Sequence, residues 1–185
     1  MRIIAGSLKN RLIVSPKGSE TRPTSGKVRG ALFNICQNFI GGTRFLDLFA
    51  GSGAMGIEAL SRGAKMATFV DSSPFSCRCI QSNLKNLDIE SQGNVLCRDV
   101  FAALKWLQSK NEQFDIVYID PPYQEFHVEQ LLKPFKEGLL AEEGVLFLEE
   151  AAGSVLISHF SGFELVQERE YGKTTLYQLK RGASQ

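Results

Sequence analysis

The chain is predicted to fold as an α/β protein, a mostly parallel sheet with helices on both faces and an antiparallel hairpin at its end. Three observations carry this. From residue 43 onward, short apolar runs alternate with helical patterns, which is the signature of βα units. The first run, Arg44-Phe-Leu-Asp-Leu-Phe49, leads into Gly51-Ser-Gly53-Ala-Met-Gly56 and then into a helical stretch; this is a strand, a glycine-rich turn and a helix in succession. The last two runs, 163–170 and 174–180, are extended and flank Tyr171-Gly-Lys173, so they read as a hairpin at one edge.

The elements follow in order. Arg2–Ala5 and Arg11–Val14 flank Ser7-Leu-Lys-Asn10 and are expected to pair as a hairpin. Pro16, Gly18 and Pro23 make 15–23 a loop. Thr24 or Ser25 caps a helix to about Asn38, with Val28, Leu32, Ile35 and Phe39 at helical spacing, and Gly41-Gly42 ends it. Strands are expected at 44–49, 67–71, 94–98, 114–119 and 144–149. Helices are expected at 54–62, 74–87, 101–109 and 126–136. No internal repeat, low-complexity tract or long linker interrupts them. The chain divides into an N-terminal hairpin and helix extension, 1–40, and an α/β domain, 41–185.

Composition bounds the function. At 185 residues and 43% hydrophobic content, the chain has enough apolar material for one core. It holds no apolar run near the ~18–20 residues that span a bilayer, and Arg2 is not followed by a leader-like stretch. A cytoplasmic protein without membrane contact is expected. Cys36, Cys77, Cys79 and Cys97 lack paired zinc-type spacing, and with only His127 and His159 beside them no metal site is expected. Net charge is +1, but its distribution is uneven. Residues 1–30 carry Arg2, Lys9, Arg11, Lys17, Arg22, Lys27 and Arg29 against Glu20 alone, a balance of +6 over a remainder of −5. Such asymmetry marks the N-terminal segment as a phosphate-facing surface; a solvated basic arm is the plainer alternative.

Two motifs carry chemistry. Phe114-Asp-Ile-Val-Tyr-Ile119 has strand composition and stops at Asp120-Pro-Pro-Tyr123. Proline fixes φ and lacks an N–H, so this corner is stiff and rich in carbonyls. A carboxylate, carbonyls and a flat ring together suit a planar group bearing –NH2, such as the exocyclic amine of a nucleobase. The second motif is the glycine turn, where Gly51 and Gly53 let backbone approach a ligand. Ala67-Thr-Phe-Val70 then ends in Asp71, about 20 residues past the first glycine, where an acid accepts ribose hydroxyls. Dinucleotide binders share that layout. Asp47 tilts the choice, because a carboxylate four residues before Gly51 can bind an ammonium that a nicotinamide dinucleotide lacks and S-adenosylmethionine has. The Asp-Pro-Pro-Tyr corner also has no task in hydride transfer.

Together these residues resemble the S-adenosylmethionine-dependent methyltransferases that modify exocyclic amines, and most closely the RsmD-type 16S rRNA guanine-N2 methyltransferases of bacteria. The resemblance spans nearly the whole chain. It includes Arg2-Ile-Ile-Ala-Gly6, Thr21-Arg-Pro-Thr24, Val28-Arg-Gly-Ala-Leu-Phe-Asn34, Asp47-Leu-Phe-Ala-Gly-Ser-Gly53, Gly56-Ile-Glu-Ala-Leu-Ser-Arg-Gly-Ala64 and residues 114–123. Asp71 departs mildly, since such enzymes more often carry Glu there. The resemblance implies a Rossmann-like methyltransferase sheet and S-adenosylmethionine as methyl donor. It implies 16S rRNA or the small ribosomal subunit as partner, with a monomeric enzyme. The implied donor-binding set is Asp47, Gly51, Gly53, Asp71, Asp99, Val100 and Thr24, with Asp99 facing the adenine amine or capping helix 101–109. Asp120, Pro121, Pro122 and Tyr123 hold the target amine. Arg2, Lys9, Arg11 and Arg22 face RNA, although Arg22 and Thr24 equally suit fixing the loop before the first helix. Two alternatives stay open: an amino-methyltransferase of DNA adenine N6 or of a protein glutamine, and a catalytically inactive Rossmann-like RNA-binding protein.

Overall fold

Seven strands form one sheet in the order β3-β2-β1-β4-β5-β7-β6. They are β1 Arg44–Leu48, β2 Met66–Asp71, β3 Gly93–Cys97, β4 Phe114–Ile119, β5 Leu140–Ala151, β6 Phe163–Tyr171 and β7 Thr174–Arg181. The computed structural model describes residues 1–16, 26–122, 128–153, 160 and 162–182. Strands β1 to β5 run parallel, and β7 returns antiparallel between β5 and β6. The described helices are α1 Gly26–Cys36, α2 Ala54–Ser61, α3 Pro74–Asn86, α4 Val100–Ser109 and α5 Val128–Pro134.

Strand alternation sorts the side chains into two cores. Phe45, Phe69, Ile116, Tyr118 and Phe147 point to one face, where Ile3, Ile13, Leu32, Phe33, Ile57 and Ile80 cover them. Leu46, Leu48, Val117, Ile119 and Leu148 point to the other, beneath Leu104 and Leu107 of α4 and Leu131 of α5. Each such side chain contributes about 1.5–3 kcal/mol on burial. The N-terminal residues and α1 thus share a core with the sheet. Among the described residues no helix is long and apolar enough to cross a membrane.

Three elements differ from expectation. The N-terminal limbs meet through a single antiparallel bridge, Arg2 with Leu12, and through Ile3 N–H to the Arg11 carbonyl at 3.0 Å. Asn10 N–H also donates to the Ile3 carbonyl at 3.0 Å and Ile13 N–H to the Met1 carbonyl at 2.8 Å, so the limbs pair as expected but short of regular strands, and other backbone groups turn to the helices beneath. Ile4 and Ala5 N–H donate to the Glu58 carboxylate of α2 at 2.8 and 3.0 Å, and Val14 N–H donates to Asn83 of α3 at 2.9 Å. The helix expected to end at 136 instead widens into a π turn over Phe135–Leu139, after Pro134 and around Gly138 at φ 129°. That residue's left-handed conformation releases the chain into β5 at Leu140, earlier than the expected 144, where it pairs with Phe114. The caps Thr24 and Ser25 lie outside the described residues.

The outer strand β6 ends the sheet. Its exposure alternates along Phe163–Tyr171, and Glu164, Glu168, Arg169 and Glu170 lie on it. Charge along an unpaired edge discourages addition of a foreign strand.

Candidate active site

The strand order reverses beside β1, which has β2 on one side and β4 on the other. Open α/β sheets bind ligands in the crevice at the carboxyl ends of such strands. Three carboxylates gather there. Asp47 is on β1, Asp71 ends β2, and Asp120 directly follows β4. They are close enough to act on one another, since both Asp120 and Asp71 make ionisation of Asp47 harder. Burial is the larger cause: Asp47 is 1% exposed, and its carboxyl titrates well above the ordinary carboxylate range despite the Gly56 N–H that favours its charged form.

The glycine turn connects these acids. Phe49 at φ 60°, Gly51 at 55° and Gly53 at 76° hold left-handed conformations that fold the chain sharply after β1. Phe49 is the costly member, because a side chain there costs of order 1 kcal/mol. Gly51 N–H donates to Asp71 at 2.8 Å, and Ala50 N–H to the Val70 carbonyl at 3.0 Å, so the turn is laced to the end of β2. Gly53 is the N-cap of α2, which therefore starts without a side-chain cap. Gly56 N–H, in its first turn, donates to Asp47 at 3.0 Å. A Cβ on Gly51 would meet nothing within 4 Å, so this backbone borders open space. A Cβ on Gly56 would lie 2.3 Å from the Phe69 ring. Gly51 thus faces open space, whereas Gly56 is required by packing. A Gly56→Ala variant is expected to lose about 1–3 kcal/mol of stability by overpacking, read as a lowered denaturant midpoint at unchanged slope.

The Asp-Pro-Pro corner sits beside these groups. Asp120 is half-buried, Pro121 buried and Pro122 exposed; Tyr123 lies outside the described residues. Behind Asp120 the Tyr118 hydroxyl donates to the carboxylate of Glu149 on β5. Both are buried, and in the β4/β5 register Ile119 pairs with Leu148. Glu149 therefore lies beside Asp120 on the next strand. Glu149 is thus an internal partner of the strand that carries the corner. Only the period-two alternation of Phe147 and Glu149 hinted at its inward face.

The remaining predicted residues separate into groups. Asp99 caps α4, accepting from Phe101 and Ala102 N–H at 2.9 and 3.1 Å, and stays exposed while Val100 is buried. Cys36 and Cys77 are buried, and desolvation pushes both thiols up to about 12, which removes them as nucleophiles at neutral pH. Arg2, Lys9 and Arg11 are exposed on the N-terminal limbs. Arg11 also donates to the Asn86 carbonyl at 2.7 Å, and Arg2 to the Asn10 carbonyl at 2.7 Å. Arg22 and Thr24 lie outside the described residues. Arg29 corrects the charge count. It is 3% exposed, pairs with Glu58 at 3.6 Å and donates to the Arg2 carbonyl at 2.6 Å. It braces the N-terminal limbs from inside and presents no charge to solvent. Glu58 is the residue that sequence reasoning missed most clearly. It looks like a surface acid on a short helix, yet it is fully buried and also pairs with Arg62 at 2.8 Å.

Comparison with known proteins places this geometry. The family described as Conserved hypothetical protein 95 matches residues 1–180. A protein of Escherichia coli K12 named Ribosomal RNA small subunit methyltransferase D is 34% identical over 183 residues, covering 96% of this chain and 89% of that one. Its namesake in Haemophilus influenzae is 32% identical over 174 residues, covering 93% and 89%. A solved Escherichia coli structure superposes with a TM-score of 0.86 at 30% identity, covering 100% of this chain and 99% of the other. A match across almost the entire length, in sequence and in fold alike, shows that the chain belongs to the Conserved hypothetical protein 95 family, the RsmD-type methyltransferases.

Proposed function

We propose that the protein transfers a methyl group from S-adenosylmethionine to the exocyclic N2 of a guanine in 16S rRNA, within the free RNA or the small ribosomal subunit. It is an S-adenosylmethionine-dependent methyltransferase with an RNA substrate. The observation that carries the finer reading is the meeting of Asp47 and Asp120 across the β1/β4 switch point. One acid is buried beneath the glycine turn and the other heads a corner suited to a planar amine.

The residues present fit the methyl donor. Asp47 offers a carboxylate to its ammonium, and the open space over Gly51 admits its amino-acid portion against bare backbone. Asp71 keeps one lone pair on each oxygen for ribose hydroxyls after bonding Gly51 and Ser73. Asp99, exposed at the start of α4, and the Val100 backbone would face the adenine amine. When bound, the donor supplies a methyl on a sulfonium, which is already an activated leaving group. The protein's task is then to orient and desolvate. Guanine N2 is a weak nucleophile because its lone pair is delocalised into the ring. The Asp120 carboxylate and the Pro121 carbonyl accept its two protons and draw the nitrogen towards tetrahedral geometry, which localises the lone pair. Tyr123 stacks on the base, which leaves any helix by flipping.

Residues 1–40 act as the RNA-contacting extension of a monomeric enzyme, through Arg2, Lys9, Arg11 and Arg22. Converting Arg2, Lys9 and Arg11 together to glutamine is expected to weaken RNA binding and to flatten its logarithmic salt slope by about 2–3, near one unit per lost phosphate contact. An unaltered slope, measured by titration at several salt concentrations, would return the arm to a merely solvating role. The function itself is tested by mapping methylated nucleotides in small-subunit rRNA from cells with and without the protein. Parallel assays on DNA and on protein substrates separate the competing targets.

A further inference from the structure

Asn83, which receives Val14, is a polar side chain that the proposed mechanism does not use. It lies on α3 and is only 1% exposed. Its amide is fully used. Oδ1 accepts from Val14 N–H at 2.9 Å, while Nδ2 donates to the Val14 carbonyl at 2.9 Å and to the Ser52 carbonyl at 3.0 Å. Ser52 is the centre of Gly51-Ser-Gly53, the turn bordering the donor's space. Val14 is near the end of the second N-terminal limb. One buried side chain therefore holds the donor-binding turn and the basic arm at once.

The path of that limb strengthens the connection. Arg11 bonds the Asn86 carbonyl at the end of α3, and Cys79, one turn before Asn83, donates its thiol to the Val14 carbonyl at 3.2 Å. The limb thus climbs α3 from its C-terminal end towards its N-terminal end. That direction leads to the carboxyl edge of the sheet, where β2 delivers the chain into α3. Ile13, 1% exposed, roots the limb in the core, but Val14 beyond it is 57% exposed, so apolar contact does little to fix that residue. Hydrogen bonds to Asn83 fix Val14, and the two Nδ2 protons are divided between its carbonyl and the turn.

We propose that Asn83 is a positioning residue that links the two binding sites: ordering the Gly51–Gly53 turn around the methyl donor fixes the Asn83 amide and so fixes the arm that meets RNA. This rests on the RNA-facing role of the arm proposed above. A group that must be ordered for both ligands is paid for by whichever binds first, so the two bindings strengthen each other reciprocally. Substituting Asn83 should raise KM for the donor by a larger factor than it lowers kcat, because the residue acts on the donor through the Ser52 carbonyl.

The test uses the full chain and S-adenosylhomocysteine as probe. In the wild-type protein the probe should slow hydrogen exchange at the Val14 amide, and a saturating amount should tighten 16S rRNA binding about five- to tenfold. Asn83→Asp keeps an acceptor for the Val14 N–H but loses the donor to Ser52. It should bind the probe about tenfold more weakly and abolish the tightening of RNA. Asn83→Ala should do the same, with thermal melts confirming that each variant is folded. Val14 exchange indifferent to the probe in the wild-type protein would overturn the linkage, and that measurement needs no variant. So would a folded Asn83→Asp protein with unchanged probe affinity. Failure of the wild-type protein to bind the probe at all is a separate result, which removes the methyltransferase reading and the linkage with it.

Discussion

An Asp120→Ala protein is expected to lose methyl transfer by about 10²–10⁴-fold in kcat while keeping its affinity for S-adenosylmethionine. Asp120 acts on the donor-binding side as a like charge that makes Asp47 harder to ionise. Removing it relieves Asp47, so donor affinity should be unchanged or slightly tighter. A carboxylate that merely supported the fold would not divide the two quantities in this way. Asp120→Asn is the informative companion. Its carbonyl still accepts one proton from the target amine, so it should recover part of the lost rate without altering affinity. Single-turnover rates and calorimetric titration on the same preparations separate the two. Wild-type turnover in the alanine variant, or a donor affinity that collapses with the rate, would show that the corner has another purpose.

The second large effect belongs to Asp47, and it has opposite signs for stability and for binding. Burial raises this carboxyl's pKa, the Gly56 N–H offsets part of the rise, and Asp120 and Asp71 add to it. A pKa raised above its unfolded value means the folded state holds its proton more tightly. The associated stability is present below the ordinary carboxylate range and is lost as pH climbs through the raised folded value. Asparagine never ionises and its Oδ1 still accepts from Gly56. Above that pH, Asp47→Asn without ligand should therefore melt higher, by about 2–4 °C for each kcal/mol relieved. Donor affinity should fall about 10- to 100-fold, the worth of one charge-assisted hydrogen-bonded pair. Wild-type affinity should also rise with pH as Asp47 ionises, and this component should vanish in the variant. A site residue whose removal strengthens the empty protein is a residue kept for its ligand. Equal affinities across pH would place the ammonium elsewhere.

Much of this was legible because local chemistry and global position agreed. Strand β4 was recognisable from Phe114-Asp-Ile-Val-Tyr-Ile119 and from the prolines that had to end it, and the observed bounds are the same. Asp47, Asp71 and Asp120 were visible as acids at strand ends, and a parallel sheet must bring such ends to one edge. What escaped were residues whose partners are distant in sequence. Glu58 serves backbone 53 and 54 positions away, Asn83 serves Val14 across 69, and Tyr118 reaches Glu149 across 31. Polar side chains on amphipathic helices carry no mark that tells a solvent-facing amide from one closing a long loop. The early start of β5 escaped for a related reason. Leu140 joins the sheet because Phe114 lies opposite, and no local propensity announces a register partner.

The bracing of the N-terminal limbs also bears on how the protein is made. Residues 1–14 leave the ribosome ahead of Glu58, Ser61, Asn83 and Asn86, which receive them and emerge tens of residues later. Closing such wide loops is slow relative to pairing neighbours. This segment must therefore wait, undocked, until α2 and α3 exist, and the newborn chain settles residues 1–14 after the helices that follow them.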